Sequence, residues 1–448
     1  MSAVLQTPLG EVLAHCDNTI RGPLSLVRHA QRILNQPGLP RIHNASSIIN
    51  SIKTYNHAEL VGDTGAAGLT WEEAAMGAIG ECIERYCCAV YDHDDLVYAS
   101  QRDLGATAIG MDTFAIYSER QQAHPDFPLN PWHPELPVHW VEGRVLGTGS
   151  NAGAKRQVPA CLAYIPYAQH PDLTRTRDRL ALAVSSGQAC HSDTDAALLS
   201  GLCEVVERDA FMITWLKRVA VPRIEWEHDD ELRRIYERHF ACPGLTFHLF
   251  DLTLDIEIPT VVCLVEGMGP RGPYLCLGAA TRPNYRQAIT KAWIEASQTL
   301  VWLRDLMARK QDWRPEPDYV NLRDFEDHVR LYGEPEMRAH AAFLLDTPLR
   351  VRPDFDRHAG APAAELLAGC INAVERAGYE AIHVDLTTCD IRSAGFVVPK
   401  VFVPGLTTLY ATHGLPCVGS PRFDSVPRKL GRPALPDGEF NLSPHPFP

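Results

Sequence analysis

Apolar residues recur along this chain with two different spacings, and the switching between them sketches its elements. From Thr70 to about Tyr91 the spacing is helical, and Thr70-Trp71-Glu72-Glu73 opens the stretch as a Thr-x-x-Glu capping box. A second helix is expected from Ser192–Asp195, a Ser-x-x-Asp box, to about Val219, and a third from about Asn284 to Arg309. Shorter helices are expected near Pro23–Leu34 and Pro362–Gly378. Strand-like apolar runs cover Val138–Leu146, Val158–Tyr167, Leu245–Leu252, Ile258–Val265, Tyr274–Ala280, Ala381–Leu386 and Phe396–Val403. The first two bracket the glycine-rich Gly147–Gly153 and so predict a hairpin. That loop contains Gly147-x-Gly149, but it lacks a Gly-Lys-Ser/Thr ending and a strand follows it, which is not the setting of a phosphate loop. Residues 92–137, rich in His, Pro and Asp, read as irregular, and from about residue 415 the chain becomes proline-rich. Strands flanked by long helices make the fold α/β (or α+β) with mixed sheets, its strand order unreadable from sequence. Three parts are expected: an N-terminal segment 1–60, a principal domain 61–415 and a C-terminal tail 416–448.

Composition narrows the partners. The 448 residues carry a formal charge of -13, and the densest basic run, Arg175-Thr176-Arg177-Asp178-Arg179, is short and broken by acid, so no nucleic-acid partner is expected. No apolar run approaches the roughly 20 residues of a membrane helix, and Met1–Gly10 lacks the pattern of a secretory signal. The 13 cysteines include no Cys-x-x-Cys pair, and Cys161, Cys203, Cys263 and Cys276 lie inside apolar runs. A reducing, cytoplasmic setting fits this pattern better than a disulfide framework or a structural zinc site.

The candidate chemistry sits on the helices. Glu81-Cys82-Ile83-Glu84-Arg85 places two carboxylates three residues apart on one helical face, with Ala78 and Ile79 nearby. Glu204-Val205-Val206-Glu207-Arg208 repeats the arrangement among Leu198, Leu199, Leu202 and Phe211. One such copy fits an ordinary amphipathic helix with local ion pairs as well as it fits a site. Two copies set among apolar residues bring four carboxylates toward a core with only Arg85 and Arg208 beside them. Burying such charge uncompensated is very costly, and a divalent ion with oxygen ligands, commonly Mg2+ carrying phosphates, would compensate it. The third helix adds Lys291 and Glu295, an i, i+4 pair that also fits a surface ion pair, and Gln298 one turn on.

Taken in order, several of these segments resemble the YcaO family over roughly residues 60–448. They are Gly-Leu-Thr with Ala-x-Gly-Glu-x-x-Glu-Arg-Tyr (68–86), Ser-Ser-Gly (185–187), Gly-Leu-Cys-Glu-x-x-Glu-Arg-Asp-Ala (201–210), Ala288…Ala292…Glu295-Ala296-x-Gln298, and Val-Pro-Lys-Val-Phe-Val-Pro-Gly (398–405). The chain looks most like the discrete cyclodehydratase subunits, the streptolysin-type maturation proteins among them, that form thiazoline and oxazoline rings in peptides. The resemblance implies an ATP site without a Walker loop, on a YcaO-type fold filling residues 61–415. Glu81, Glu84, Glu204 and Glu207 would hold Mg2+, and Arg208, Glu295, Gln298, Lys291, Ser186 and Arg85 would line the nucleotide site. It also implies that the terminal Pro444-His445-Pro446-Phe447-Pro448 reaches the active site, which makes Pro444, Pro446, Pro448 and His445 catalytic candidates. Local sequence alone reads that stretch as an extended proline-rich tail, with His445 a spacer. The chain departs from the family pattern at Ala67, Ser186, His191 and Lys291, which bears on secondary phosphate contacts. The implied reaction is ATP-dependent dehydration of Cys, Ser or Thr in a ribosomal precursor peptide. Thioamide or amidine formation and a non-catalytic scaffold role are the alternatives. Implied partners are the precursor peptide, a ThiF-like leader-peptide-binding protein, an azoline oxidase using flavin, and a second copy in a homodimer.

Overall fold

The structure, a computed structural model, describes residues 11–12, 14–16, 26–50, 63–167, 179–182 and 184–448. In chain order the principal elements begin with β1 (Val27–Ile33), β2 (His43–Ile49), β3 (Asp63–Gly68) and α1 (Trp71–Ala89). There follow β4 (Val97–Ala99), β5 (Val138–Leu146), β6 (Lys155–Pro159), α2 (Thr194–Lys217), β7 (Arg223–Ile224) and β8 (Thr246–Asp251). Next are β9 (Thr260–Gly269), β10 (Gly272–Thr281), α3 (Tyr285–Arg309) and β11 (Arg350–Val351). The chain finishes with α4 (Ala363–Arg376), β12 (Ala381–Asp385), β13 (Pro399–Phe402) and α5 (Arg422–Leu430).

These strands form three sheets among the described residues, with orders β1-β2-β3, β10-β9-β8-β7-β11 and β13-β12-β5-β4, and β6 pairs with β5 as the predicted hairpin. All pairings are antiparallel except β7 with β11. The expected mixed α/β architecture is therefore present. Helix α1 packs on the first sheet and α3 on β9 and β10, while α2 touches α4, β13 and β10 and so bridges the two larger sheets.

Local signals account for the helix starts. Thr70 accepts from the Glu73 amide and the Glu73 carboxylate accepts from the Thr70 amide, so the predicted capping box is formed. At α2 the capping residue is Asp193, whose carboxylate accepts from Ala196 N at 2.8 Å, one residue beyond the expected Ser192. Asn284 caps α3. The run Val158–Tyr167 is not one strand. It leaves β6 at Pro159, which cannot donate to a ladder, and turns into a short helix at Ala160–Ala163. The helix expected near Pro23–Leu34 is overturned as well. Residues 23–25 lie outside the described residues, and Val27–Ile33 is the strand β1. Of its seven residues only Val27 is buried, so no apolar stripe supports a helix, and pairing along β2 satisfies its backbone instead. The interval 92–137 holds short helical turns and β4 rather than wholly irregular chain, and α5 interrupts the proline-rich tail. Most of the basic run at 175–179 lies outside the described residues, as do residues 1–10.

Two glycines set how closely α2 approaches β13. Gly187 has φ +87°, and a Cβ there would lie 2.1 Å from Val401 O, while a Cβ on Gly201 would lie 2.5 Å from Gly187 O. A buried ion network then locks α2 to the C-terminal region. Arg422 donates to both oxygens of Asp209 (2.9 and 2.7 Å), to Asp255 (2.7 and 3.1 Å) and to Tyr379 Oη. Arg422→Ala would leave the buried Asp209 carboxylate without its cation and Asp255 with only Lys429, 3.6 Å away. It is expected to cost about 3–5 kcal/mol, read as a lowered denaturant midpoint.

Candidate functional site

Helices α1 and α2 bring their Glu-x-x-Glu-Arg faces toward one another, and backbone amides from three distant segments hold the carboxylates. Glu81 accepts from Gly65 N (3.0 Å) and from Arg85 (2.8 Å). Glu84 accepts from Cys190 N at 2.7 Å, and among the described residues no Lys or Arg stands within ion-pair distance of it. Glu204 accepts from Gly187 N (3.2 Å) and Arg208 (3.2 Å), and Glu207 from Thr281 N (2.9 Å), with Arg208 Nε 3.4 Å away. Gln298 on α3 donates to Gly65 O at 2.9 Å, so the Gly65 backbone joins α3 to the Glu81 carboxylate. Lys291 forms an ion pair with Glu295, as the spacing suggested.

The electrostatics are those of surplus negative charge. Burial holds the Glu84 carboxyl well above the usual range, and the charges of Glu204 and Glu81 add to the rise. Burial pushes Glu204 up to about 7 against the pull of Arg208, and it raises Glu207, where Glu295 adds to the effect. Arg85, Arg208 and Arg282 thus under-compensate the cluster, and oxygen donors with surplus charge fit a hard divalent cation. Among the described residues no three such side chains form a complete cage by themselves. Phosphate oxygens and water would complete the shell, as is usual for Mg2+.

The C-terminal residues climb α2 antiparallel toward this cluster. Asn441 N donates to Leu216 O, Trp215 Nε1 to Ser443 O (3.0 Å), and Tyr332 Oη to Pro444 O (2.7 Å). His445 is fully buried and stacks on His328, with ring centroids 4.2 Å apart. Its Nε2 donates to Tyr410 O (2.9 Å) and its Nδ1 accepts from Phe447 N (3.3 Å). Phe447 packs edge-on against Phe211, and the Arg208 guanidinium lies 4.2 Å from its ring centroid. Pro444 and Pro446 are buried and Pro448 half-buried. The terminal residues thereby reach Arg208, one helical turn from Glu204. With both ring nitrogens engaged, His445 is placed as an anchor of this segment.

Burial, reinforced by the charges of His328, His413 and Arg208, holds His445 well below its ordinary value, against the hydrogen bond to Tyr410 O. A ring kept neutral in the fold is protonated more readily in the unfolded chain, so its contribution is complete above about pH 6.5 and lost as pH falls below that. The raised glutamates act in the opposite sense, gaining stability on acidification. The histidine contribution is therefore read as a difference. The stability gap between wild type and His445→Gln is expected to shrink between pH 7.5 and 5.5 in urea titrations.

Several site residues were not singled out from sequence. Lys400 lies in the quoted 398–405 segment but carried no assignment, and Arg282 and the Gly65, Cys190 and Thr281 amides follow from the fold alone. Of the divergent positions, Ala67 is buried in β3, His191 Nδ1 accepts from Asp193 N, and Ser186 sits beside Arg208.

Fold and site together define a three-sheet α/β protein with an acidic cluster built by two helices. The sequence matches the family described as YcaO cyclodehydratase, ATP- and Mg2+-binding, over residues 65–407, and the chain belongs to the YcaO family. The fold is shared with a heterocyclase solved in complex with substrate and cofactor, at a TM-score of 0.77 and 22% identity, covering 98% of this chain and 57% of that one. It is also shared with YcaO from Methanopyrus kandleri bound with AMPPCP and Mg2+, at a TM-score of 0.60 and 19% identity, covering 90% of each chain. An uncharacterized protein in the tfuA 3' region of Rhizobium leguminosarum bv. trifolii is 29% identical over 141 residues, which span 33% of that protein. No helix among the described residues is long and apolar enough to cross a membrane.

Proposed function

We propose that this chain is an ATP-dependent cyclodehydratase that converts Cys, Ser or Thr residues of a ribosomal precursor peptide into azolines. The observation that carries the proposal is the meeting, at Arg208, of the acidic two-helix cluster and the C-terminal segment. The family description supports the nucleotide and metal, and the likeness to a substrate-bound heterocyclase supports the peptide.

In this reaction a side-chain sulfur or oxygen bonds to the preceding carbonyl carbon, and the carbonyl π pair moves onto its oxygen. That oxygen takes the γ-phosphoryl group of ATP. Phosphate then leaves as the ring nitrogen loses its proton and forms the C=N bond. Glu81, Glu84, Glu204 and Glu207 would hold Mg2+, which supplies charge neutralisation at the transferring group. Arg208 is fixed by Glu204, Glu207 and the Phe447 ring, so its charge is positioned before substrate arrives. The buried tail covers one face of Arg208 with the Phe447 ring.

In this reading a separate partner protein, of ThiF-like type, delivers the peptide. The test is mass spectrometry of a candidate peptide incubated with the chain, that partner, Mg2+ and ATP. A loss of about 18 Da per ring with ADP and phosphate release is expected from the phosphoryl-transfer route. Replacement of oxygen by sulfur would make it a thioamide-forming enzyme, and no ATP turnover would make it a scaffold.

A further inference from the structure

Beside Arg208 lies a half-open pocket of about 80 Å³ that takes in Lys400 on β13, Val184 and Ser186, and residues 401–403 and 406–408. Its polar groups are poorly matched to one another. Lys400 is 1% exposed, and its ammonium donates to Val184 O at 2.9 Å and to no other acceptor among the described residues. Thr407 Oγ1 and Thr408 Oγ1 are buried without a hydrogen-bond partner, whereas Arg208 Nε has the Glu207 carboxylate 3.4 Å away. Native interiors seldom leave such groups unpaired, and here two threonine hydroxyls line one pocket with a buried ammonium. The lining also has an apolar part, with Phe402, whose ring centroid lies 5.6 Å from the Lys400 ammonium, and Leu406.

What would satisfy this lining is small, carries both a hydrogen-bond donor and acceptors, and has an apolar corner. At roughly 30 Å³ per water the pocket holds the equivalent of two or three waters, too little for a nucleoside triphosphate and about the size of one amide group. The negative cluster adjoins it through Arg208, which lines the pocket and pairs with Glu204.

We propose that this pocket seats the reacting peptide unit, and that Lys400 is a catalytic residue whose ammonium binds the amide oxygen as it becomes anionic. The proposal rests on the cyclodehydratase reading. In it, the thiol or hydroxyl proton leaves to solvent as the new bond to carbon forms, and Lys400 holds the resulting oxyanion with Arg208 alongside. The oxyanion then attacks the γ-phosphorus of a nucleoside triphosphate, and the bond from phosphorus to the diphosphate breaks. The Thr407 and Thr408 hydroxyls pair with the backbone of the seated residue.

Lys400→Met keeps the length of a buried side chain and removes its charge. Ring formation in the complete system is expected to fall by about 10²- to 10³-fold in kcat, the usual consequence of removing an oxyanion donor, with Mg·ATP affinity retained. A folded Lys400→Met that no longer distinguishes ATP from ADP would place the ammonium on the γ-phosphate and overturn the proposal, as would wild-type kcat. Should that variant not fold, Thr408→Val decides. A raised peptide KM with unchanged ATP affinity supports the pocket, and an unchanged KM overturns it. Wild-type protein that binds Mg·ATP but forms no rings overturns the cyclodehydratase reading and the role of Lys400 with it, whereas ring formation as fast in Lys400→Met overturns Lys400 alone.

Discussion

Glu84→Gln and Glu207→Gln are each expected to abolish ATP consumption while leaving the apo protein at least as stable as wild type. Glu207 is buried and Glu84 half-buried, and desolvation is the largest cause of the rise in the pKa of each. A neutral amide removes that desolvation penalty, and its oxygen can still accept from Cys190 N or Thr281 N. What the substitution removes is charge available to a cation. The thermal midpoint without ligand is therefore expected to hold or rise, the upward shift on adding Mg·ATP to vanish, and turnover to fall by about 10²-fold or more. Substantial turnover in both variants would sink the assignment of these glutamates to the metal.

Removal of residues 444–448 is expected to have the largest effect on ring formation. It strips the Phe447 ring from Phe211 and Arg208 and the His445 ring from His328. Loss of one buried aromatic of this size costs about 3–5 kcal/mol, so part of the defect will be in folding, measurable by denaturant titration. Removing Pro448 alone separates the two effects, because that residue is only half-buried and the anchors before it remain. This shorter deletion is expected to keep the fold and nucleotide affinity while ring formation drops. If both activities fall together, the segment is a structural prop for Arg208 and no more.

What sequence revealed of this site, and what it did not, follows from the range of the interactions. The Thr70 cap is set within three residues and was legible as a capping box, and the start of α3 near Asn284 was legible in position. The two Glu-x-x-Glu-Arg motifs were legible as faces, because i, i+3 spacing is a local property of a helix. Their common surroundings were not. Glu84 meets an amide 106 residues away and Glu81 one sixteen residues before it on β3. Lys400 reads in sequence as one polar residue in an apolar strand, and only the meeting of β13 with the segment around Val184 gives its ammonium a partner. The misread helix near Pro23–Leu34 has the same origin, since pairing of Val27–Ile33 with β2 is not visible in the seven residues themselves.

The setting of Arg208 separates two properties that a positive charge usually combines. Its guanidinium presents N–H groups at its edge to Glu204 and Glu207 and stands over the Phe447 ring. Only a flat, forked cation can serve edge and face together. Arg208→Lys would leave the charge of the cluster unchanged yet release both the carboxylates and the ring, so at this position shape, rather than valence, is what couples the end of the chain to its acidic core.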